Sequence, residues 1–173
     1  MQLRTCSRFA IACLAAASAL AAAAGTSDAS QLRREAFRYY KGEGVKQSTS
    51  HAIEYFEKAA RSGDAESAYD LGKIYEYGMG GAAADAARAA SWYRTAADLG
   101  HRRGQFEASI AYYKGHGVDV DRAEAAKWWT LAMKPEDDYA RLVRGNVQSA
   151  QAKLTPEETA EGSRRAGAWK PQR

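Results

Sequence analysis

A glycine-containing motif recurs three times in this chain at a nearly constant spacing. The motif Tyr-x-x-Gly-x-Gly begins at Tyr39, Tyr75 and Tyr112, so successive copies lie 36 and 37 residues apart. A fixed period of about 20 to 50 residues is typical of a solenoid, in which similar units stack and bury their apolar faces against one another. The repeat therefore restricts the chain to architectures in which one structural unit is used several times.

A second block follows each motif and keeps the same phase. Its paired aromatic residues are Tyr55-Phe56, Trp92-Tyr93 and Trp128-Trp129, at spacings of 37 and 36. In the middle copy, apolar residues fall at i, i+3, i+4 and i+7 from Ala89, the pattern of one apolar helix face. We expect the aromatic residues that recur at fixed repeat positions to form the core: Tyr39, Tyr75, Tyr112, Trp92, Trp128 and Trp129.

Another helix precedes each glycine motif. In the middle copy it ends at Gly78, because glycine takes the left-handed conformation without the penalty of about 1 kcal/mol or more that a Cβ brings. We call this helix A and the helix of the second block helix B. The sequence thus predicts an all-α fold, an α/α superhelical solenoid of about three helical-hairpin repeats within residues 25–134, at approximately 30–64, 65–100 and 101–134.

The middle unit carries the fullest version of this pattern. It reads Leu71-Gly72-x-x-Tyr75-x-x-Gly78 in helix A and Ala89-x-x-Trp92-x-x-x-Ala96-Ala97-x-x-Gly100 in helix B. The pattern resembles the Sel-one-like repeat, a relative of the tetratricopeptide repeat, across about residues 30–134. The resemblance implies a stack of helix pairs that binds another protein. Glu35 and Ala108 replace Leu71 in the outer units, which is expected of terminal repeats with a polar outer face.

Residues 135–173 follow the repeats and are predicted to form a linker and a C-terminal capping helix. Thr155, Pro156 and Glu158 provide an N-cap, a first-turn proline and a capping-box glutamate, so a helix is expected to begin there. Trp169 is the last large apolar residue of this segment. We therefore expect the capping helix to cover the end of the solenoid, with Trp169 as its apolar anchor.

Residues 1–24 have the three parts of an export signal. Arg4 and Arg8 provide the basic start, an alanine-rich apolar stretch follows, and residues 22–24 form a small-x-small cleavage site before Gly25. The sequence predicts cleavage after Ala24 and a periplasmic or secreted protein that is not inserted in a membrane. The alternative is that this segment is retained as an anchor, although its apolar stretch is shorter than the about 20 residues of a spanning helix.

Cleavage would change the composition of the remaining chain. Both cysteines, Cys6 and Cys13, lie in the signal segment, so the processed protein would have no disulfide and no thiolate metal site. The segment also contains two of the 25 basic residues and none of the 21 acidic ones, which leaves 23 basic against 21 acidic residues. A charge so close to balance does not favour nucleic acid as a partner.

Sequence motifs of catalysis are missing. There is no nucleophile elbow, phosphate-binding loop or dinucleotide-binding fingerprint. His51, His101 and His116 lack metal-ligand spacing and are interpreted as exposed residues of loops or helix ends. Acidic groups such as Asp119 and Asp121 are interpreted as solvated rather than as a general acid and base. We therefore expect no enzymatic activity, no cofactor and no metal site.

The favoured function is an exported, non-enzymatic protein–protein interaction module, an adaptor or regulator in a bacterial-type cell envelope. Two alternatives stay open. One is a hydrolase of the β-lactam-binding type, which the resemblance to cysteine-rich members of the family implies. The other is a periplasmic inhibitor of a toxin or a sensor. The partner is expected to be a protein, and the sequence does not specify which one.

Candidate contact residues lie on helix A or beside the glycine turn. They are Arg34, Arg38, Lys73, Tyr77 and Lys114, chosen as positions that the repeat does not need for packing. The basic residues Arg33, Arg34, Arg38 and Lys41 stripe the first helix A. This stripe predicts either an electropositive surface that meets an acidic partner or ordinary helix surface charge.

Overall fold

All regular structure in the described part of the chain is helical. The computed structural model describes residues 28–134 and 136–172. The helices are α1 (residues 28–41), α2 (Thr49–Arg61), α3 (Ala65–Tyr77), α4 (Ala86–Asp98), α5 (Arg102–Lys114), α6 (Arg122–Ala132), α7 (Asp138–Gln151) and α8 (Pro156–Ala168). One turn of 3₁₀ helix, Met79–Gly81, lies between α3 and α4. The predicted signal segment 1–24 lies outside the described residues.

The predicted hairpin repeats are confirmed. Helices α1, α3 and α5 are the helices A, and α2, α4 and α6 are the helices B that follow them. Gly78 ends α3 in the left-handed conformation, with φ of 62°, and its repeat equivalents Gly42 and Gly115 have φ of 76° and 71°. Asp64 begins α3 because its carboxylate accepts hydrogen bonds from the Glu66 and Ser67 backbone N–H groups. The chain reverses where the sequence predicts it.

Close contact between the two helices of a hairpin explains a glycine inside helix A. A Cβ added to Gly72 would lie 2.5 Å from the ring of Tyr93 on α4. Glycine in a helix interior costs about 1 kcal/mol relative to alanine. This cost is offset because the absence of a Cβ lets Tyr93 pack directly on the α3 backbone, where it is only 4% exposed.

The predicted aromatic positions lie in the core, but in the middle unit the more deeply buried ring of the helix B pair is not the predicted one. Trp128 and Trp129 are 0% and 2% exposed, and Tyr75 is 3% exposed. Tyr39, Tyr112 and Trp92 are partly buried and pack against the same core. In the middle unit the fully packed member of the aromatic pair is therefore Tyr93 rather than Trp92, because Tyr93 faces helix A of its own hairpin.

The C-terminal helix covers α6, as expected. Thr155 and Glu158 form the predicted capping box, and Pro156 occupies the first turn. Arg165 binds Asp121 and Glu124 at the start of α6, at 2.9 and 3.1 Å. Trp169 packs edge-on against Trp128, with ring centroids 6.0 Å apart. The expectation that Trp169 anchors this helix is thus confirmed.

Residues 138–151 form helix α7, where the sequence analysis expected a linker. Its buried residues are Ala140, Val143 and Val147, a narrow stripe. Val143 and Val147 pack with Trp129 of α6 in a second apolar cluster. Asn146 and Val147 lie 36 residues after Ile110 and Ala111, so α7 follows at the repeat period and lines a pocket with α5 and α6, while α8 packs on α6 far more extensively than α7 does. The segment lacks the glycine motif, which is why self-comparison of the sequence did not reveal it.

Across residues 28–134 and 136–172, none of the helices combines the length and the apolar character that a membrane span requires.

Candidate functional site

Three pockets follow one another along the helices A. The first, of about 180 Å³, lies between α1, α2 and α3, and is lined by Phe37, Tyr40, Phe56, Asp70, Lys73, Ile74 and Met79. The middle pocket, of about 200 Å³, lies between α3, α4 and α5, and is lined by Glu76, Ala89, Ala90, Tyr93, Glu107, Ile110, Ala111, Lys114 and His116. The third, of about 250 Å³, lies between α5, α6 and α7, and is lined by Phe106, Ile110, Tyr113, Lys114, Trp129, Asn146, Val147 and Ala150.

The pockets are copies of one another in the register of the repeat. Each contains one nearly buried aromatic residue from helix B, namely Phe56, Tyr93 or Trp129, and these residues are 37 and 36 positions apart. Asp70 of the first pocket and Glu107 of the middle pocket are likewise 37 positions apart. The stacking of hairpins thus produces a row of similar pockets, which we call the pocket row.

The size of these pockets favours single side chains as occupants. Sites for small-molecule ligands usually have volumes of about 300 to 1,000 Å³. Each member of the pocket row is smaller than that, at 180 to 250 Å³. A row of side-chain-sized pockets suits an extended polypeptide better than one compact ligand.

One acidic side chain in each of the first two pockets has a pKa that its surroundings raise. Burial, followed by the nearby charge of Glu66, raises the pKa of Asp70 to about 6. Burial and the charge of Glu76 raise the pKa of Glu107. Glu76 in turn accepts a hydrogen bond of 2.5 Å from the Tyr93 hydroxyl, and burial together with this bond raises the pKa of Tyr93.

Sequence reasoning missed these three carboxylates. Among the described residues, Asp70, Glu76 and Glu107 are the half-buried acidic side chains that neither form an ion pair within 4.0 Å nor cap a helix. A signal was present, because Asp70 and Glu107 occupy the same repeat position. It becomes informative only when the structure shows that this position faces a pocket.

Two of the five predicted contact residues line the pocket row. Lys73 lines the first pocket, and Lys114 lines both the middle and the third. Tyr77 is 65% exposed beside the turn and is not among the lining residues. All five residues remain predictions of binding, since the structure contains no partner.

The arginines of α1 lie outside the pocket row. Arg34 is exposed and donates to Ser30, whereas Arg38 pairs with Glu35 at 2.8 Å. Its repeat equivalents Ile74 and Ala111 are 3% and 6% exposed, whereas the Arg38 side chain is 44% exposed. Arg38 thus stays a prediction of binding, with Glu35 already beside its charge.

Other basic residues of the α1 stripe also have acidic neighbours. Arg33 pairs with Asp64 at 3.4 Å, and Lys41 pairs with Glu43 at 3.5 Å. Together with the Arg38–Glu35 pair, these contacts neutralise much of the stripe. The structure thus lends less support to an acidic partner at α1 than the sequence alone does.

His101 differs from its interpretation as an exposed histidine. It is the N-cap of α5, where its Nδ1 accepts from the Gly104 N–H. Its ring stacks on Tyr69, with centroids 4.6 Å apart, and its Nε2 lies 3.0 Å from Glu66. Burial lowers the pKa of His101. These contacts give it a structural role at the junction between the second and third hairpins.

Asp121, interpreted from the sequence as solvated, and Asp137 both have structural partners. Asp121 is the N-cap of α6, where it accepts from the Glu124 N–H, and it pairs with Arg165. Asp137 is the N-cap of α7 and pairs with Arg102. Within the described ranges, no group of three or more histidine, cysteine, aspartate or glutamate side chains could hold a metal ion.

A larger depression of about 700 Å³ lies at the loops between hairpins, away from the pocket row. It is lined by residues 63–66, 99–103 and Tyr139. Most of its charged groups already have partners in the fold, since Asp64 pairs with Arg33, Glu66 with His101 and Arg102 with Asp137. We therefore regard the pocket row as the candidate functional site.

Stacked helical hairpins with a row of inter-repeat pockets define an α-helical repeat protein of the interaction type. The chain belongs to the Sel1 repeat family. The family model for the Sel1 repeat matches residues 36–64, 65–101 and 103–133, which together make up more than half of the chain. Sel1 repeat proteins are generally non-enzymatic modules that mediate protein–protein interactions.

Solved structures show the same fold. A Sel1 repeat protein from Oxalobacter formigenes is 30% identical, with a TM-score of 0.61, and the match covers 72% of this chain and 92% of that one. A protective antigen present in uropathogenic Escherichia coli strains, which displays this repeat fold, is 27% identical with a TM-score of 0.64. That match covers 80% of this chain and 29% of the antigen. A search of curated proteins gives no match.

Proposed function

We propose that this chain is an exported, non-enzymatic interaction module, an adaptor or regulator in the cell envelope, which binds an extended segment of a partner protein along the pocket row. The observation that carries the proposal is the repetition of one pocket three times in the register of the repeat. Solenoids use such periodic surfaces to bind elongated partners.

The pocket row also has the chemical character of a peptide-binding surface. Each pocket combines a buried aromatic residue with polar or charged groups, such as Tyr93 with Glu107 in the middle pocket. Apolar walls favour burial of a side chain, and a few polar groups select which side chain binds. Because the pockets lie in line, one extended chain can place successive side chains in them.

Export is supported by residues 1–24, whose basic start, apolar stretch and small-residue cleavage site resemble a signal peptide. We expect the exported protein to begin at Gly25. Intact-mass measurement of protein from the periplasm or the medium checks this, and Ala24→Arg serves as the control because a large charged residue blocks the cleavage site. A soluble cytoplasmic species that retains Met1 would contradict the prediction.

Site-specific crosslinking tests the proposed surface. Lys73 and Lys114 line the pocket row, so a photoreactive p-benzoylphenylalanine at either position should crosslink to a segment of a partner in an envelope extract. Ser91 is exposed on α4 and lines none of the three pockets, so the same group there provides the control. Mass spectrometry of the crosslinked peptides identifies the bound segment. Crosslinking that is equal at Ser91 and at the pocket positions would refute the proposed surface.

A further inference from the structure

The first and middle pockets each contain a carboxylate at the same repeat position, and α7 has no carboxylate at the corresponding position. Asp70 and Glu107 occupy the same repeat position in these two pockets, and Glu76 adds a second carboxylate to the middle one. The corresponding position in α7, 36 residues after Glu107, is the apolar residue Val143. The middle pocket therefore has two carboxylates against one lysine, Lys114, while the first pocket has one carboxylate and one lysine, Lys73.

Within the described residues these carboxylates form no close ion pair, although Lys73 and Arg33 act on Asp70, and Lys114 acts on Glu107, from a greater distance. Lys73 and Lys114 line the same pockets, yet no ion pair within 4.0 Å joins them to Asp70, Glu76 or Glu107 among the described residues. Most other acidic side chains of the described chain do form such pairs, including Glu57, Glu124 and Glu161. Three partly buried carboxylates without an ion-pair partner are thus concentrated on one surface.

A cation would be favoured there for electrostatic reasons. Glu76 and Glu107 line one small pocket, and the charge of Glu76 opposes the ionisation of Glu107. Two like charges that share a partly buried site are stabilised when an opposite charge approaches them, and the interaction is stronger than in bulk water because the local dielectric constant is lower.

The remaining walls suit the rest of a basic side chain. Phe56 and Tyr93 present aromatic rings in the first and middle pockets, and Ile74 and Ala111 are apolar. Lysine and arginine bury their methylene stems on apolar surface and place the charged group near carboxylates or over aromatic rings. Each pocket therefore matches both parts of such a side chain.

We propose that the first and middle pockets bind lysine or arginine side chains of one extended segment of a partner protein, with Asp70 receiving one side chain and Glu76 with Glu107 receiving the other. This inference rests on the proposed function of the pocket row. A chain in the polyproline II conformation advances about 3.1 Å per residue and presents the same face every third residue, so basic residues three positions apart would match pockets separated by about 8 to 10 Å, the usual distance between packed helices.

A peptide-binding measurement on the purified full chain tests this inference. The probe is a fluorescein-labelled peptide of four Ala-Gly-Lys triplets, and two matched peptides carry glutamine or glutamate in place of lysine. Fluorescence anisotropy at low ionic strength gives the Kd of each peptide. We expect the lysine peptide to bind more tightly than the other two, and its affinity to fall as salt is added.

Substitutions then locate the binding. The double variant Glu76→Gln with Glu107→Gln should weaken binding of the lysine peptide by about tenfold or more, because it removes both carboxylates of the middle pocket and leaves the charge of Lys114. Glu157→Gln is the matched control, since Glu157 is exposed on α8, away from the pocket row. It should change the Kd by less than about twofold, the effect of a distant screened charge. Circular dichroism melting curves check that each variant is folded.

The outcomes separate this inference from the proposed function. Equal affinity for the lysine and glutamine peptides would overturn the inference, as would equal losses in the double variant and in Glu157→Gln. If the glutamate peptide is instead the tighter ligand and loses its binding when Lys73 and Lys114 are replaced by glutamine, the pocket row is still the binding surface. Its ligand would then be acidic and the inference would be wrong. Crosslinking at Lys73 and Lys114 that does not exceed crosslinking at Ser91 would reject the pocket row itself.

Discussion

Replacing Trp128 with alanine should lower the free energy of unfolding by about 3 to 5 kcal/mol, the range for a large aromatic residue removed from a core. Trp128 is 0% exposed and lies where α6 meets the C-terminal helix. Its loss would leave a cavity beneath Trp169 and remove the edge-on contact between the two rings. Urea-induced unfolding followed by circular dichroism measures the change.

Trp92→Ala is the matched control for this experiment. Trp92 occupies the same repeat position, 36 residues before Trp128, but it is only partly buried. Its replacement should cost about 1 to 2 kcal/mol, because part of the ring is already in contact with water. Equal losses for the two variants would show that α8 does not cover Trp128 as the structure describes.

The indole N–H group of Trp128 limits how much this residue stabilises the fold. Its indole Nε1–H is buried without a hydrogen-bond partner among the described residues. An unsatisfied buried donor costs about 1 to 3 kcal/mol. Trp128→Phe should therefore destabilise the protein much less than Trp128→Ala, since phenylalanine keeps most of the apolar ring and removes the unsatisfied donor.

The contrast between Trp92 and Trp128 shows what a repeat sequence can predict. Self-comparison identifies residues that occupy the same position within a unit, and it placed the hairpins, their glycine turns and the aromatic core correctly. It does not show which neighbour covers that position, because α8 lies outside the repeat pattern. Exposure therefore differs between Trp92 and Trp128, although the sequence makes them equivalent.

The candidate site could be predicted less completely from the sequence, for a related reason. Lys73 and Lys114 could be chosen as helix-A positions that lie outside the apolar pattern. Asp70 and Glu107 follow the same logic, but in the sequence the most conspicuous charges are the basic stripe of α1. Pairing in three dimensions decides which charges remain available. In the described part of the chain Arg38 pairs with Glu35, whereas Asp70 has no ion-pair partner within 4.0 Å.

Replacing Gly162 with alanine should destabilise the protein by about 1 to 3 kcal/mol, the usual cost of overpacking. Gly162 is buried in α8, where an added Cβ would lie 2.4 Å from the Cβ of Ala126 and 2.8 Å from the Ala123 carbonyl oxygen. To avoid these contacts α8 would have to move away from α6. That movement would also strain the ion pairs of Arg165 with Asp121 and Glu124.

The sign of this effect distinguishes packing from helix propensity. Propensity alone predicts that glycine to alanine inside a helix stabilises it by about 1 kcal/mol. Gly145 in α7 provides the control, because no atom of residues 28–134 or 136–172 lies within 4 Å of a Cβ added there. Gly145→Ala should therefore raise the melting temperature, while Gly162→Ala should lower it. If both variants are stabilised, α8 does not pack closely on α6. In that case α8 does not cover Trp128 either.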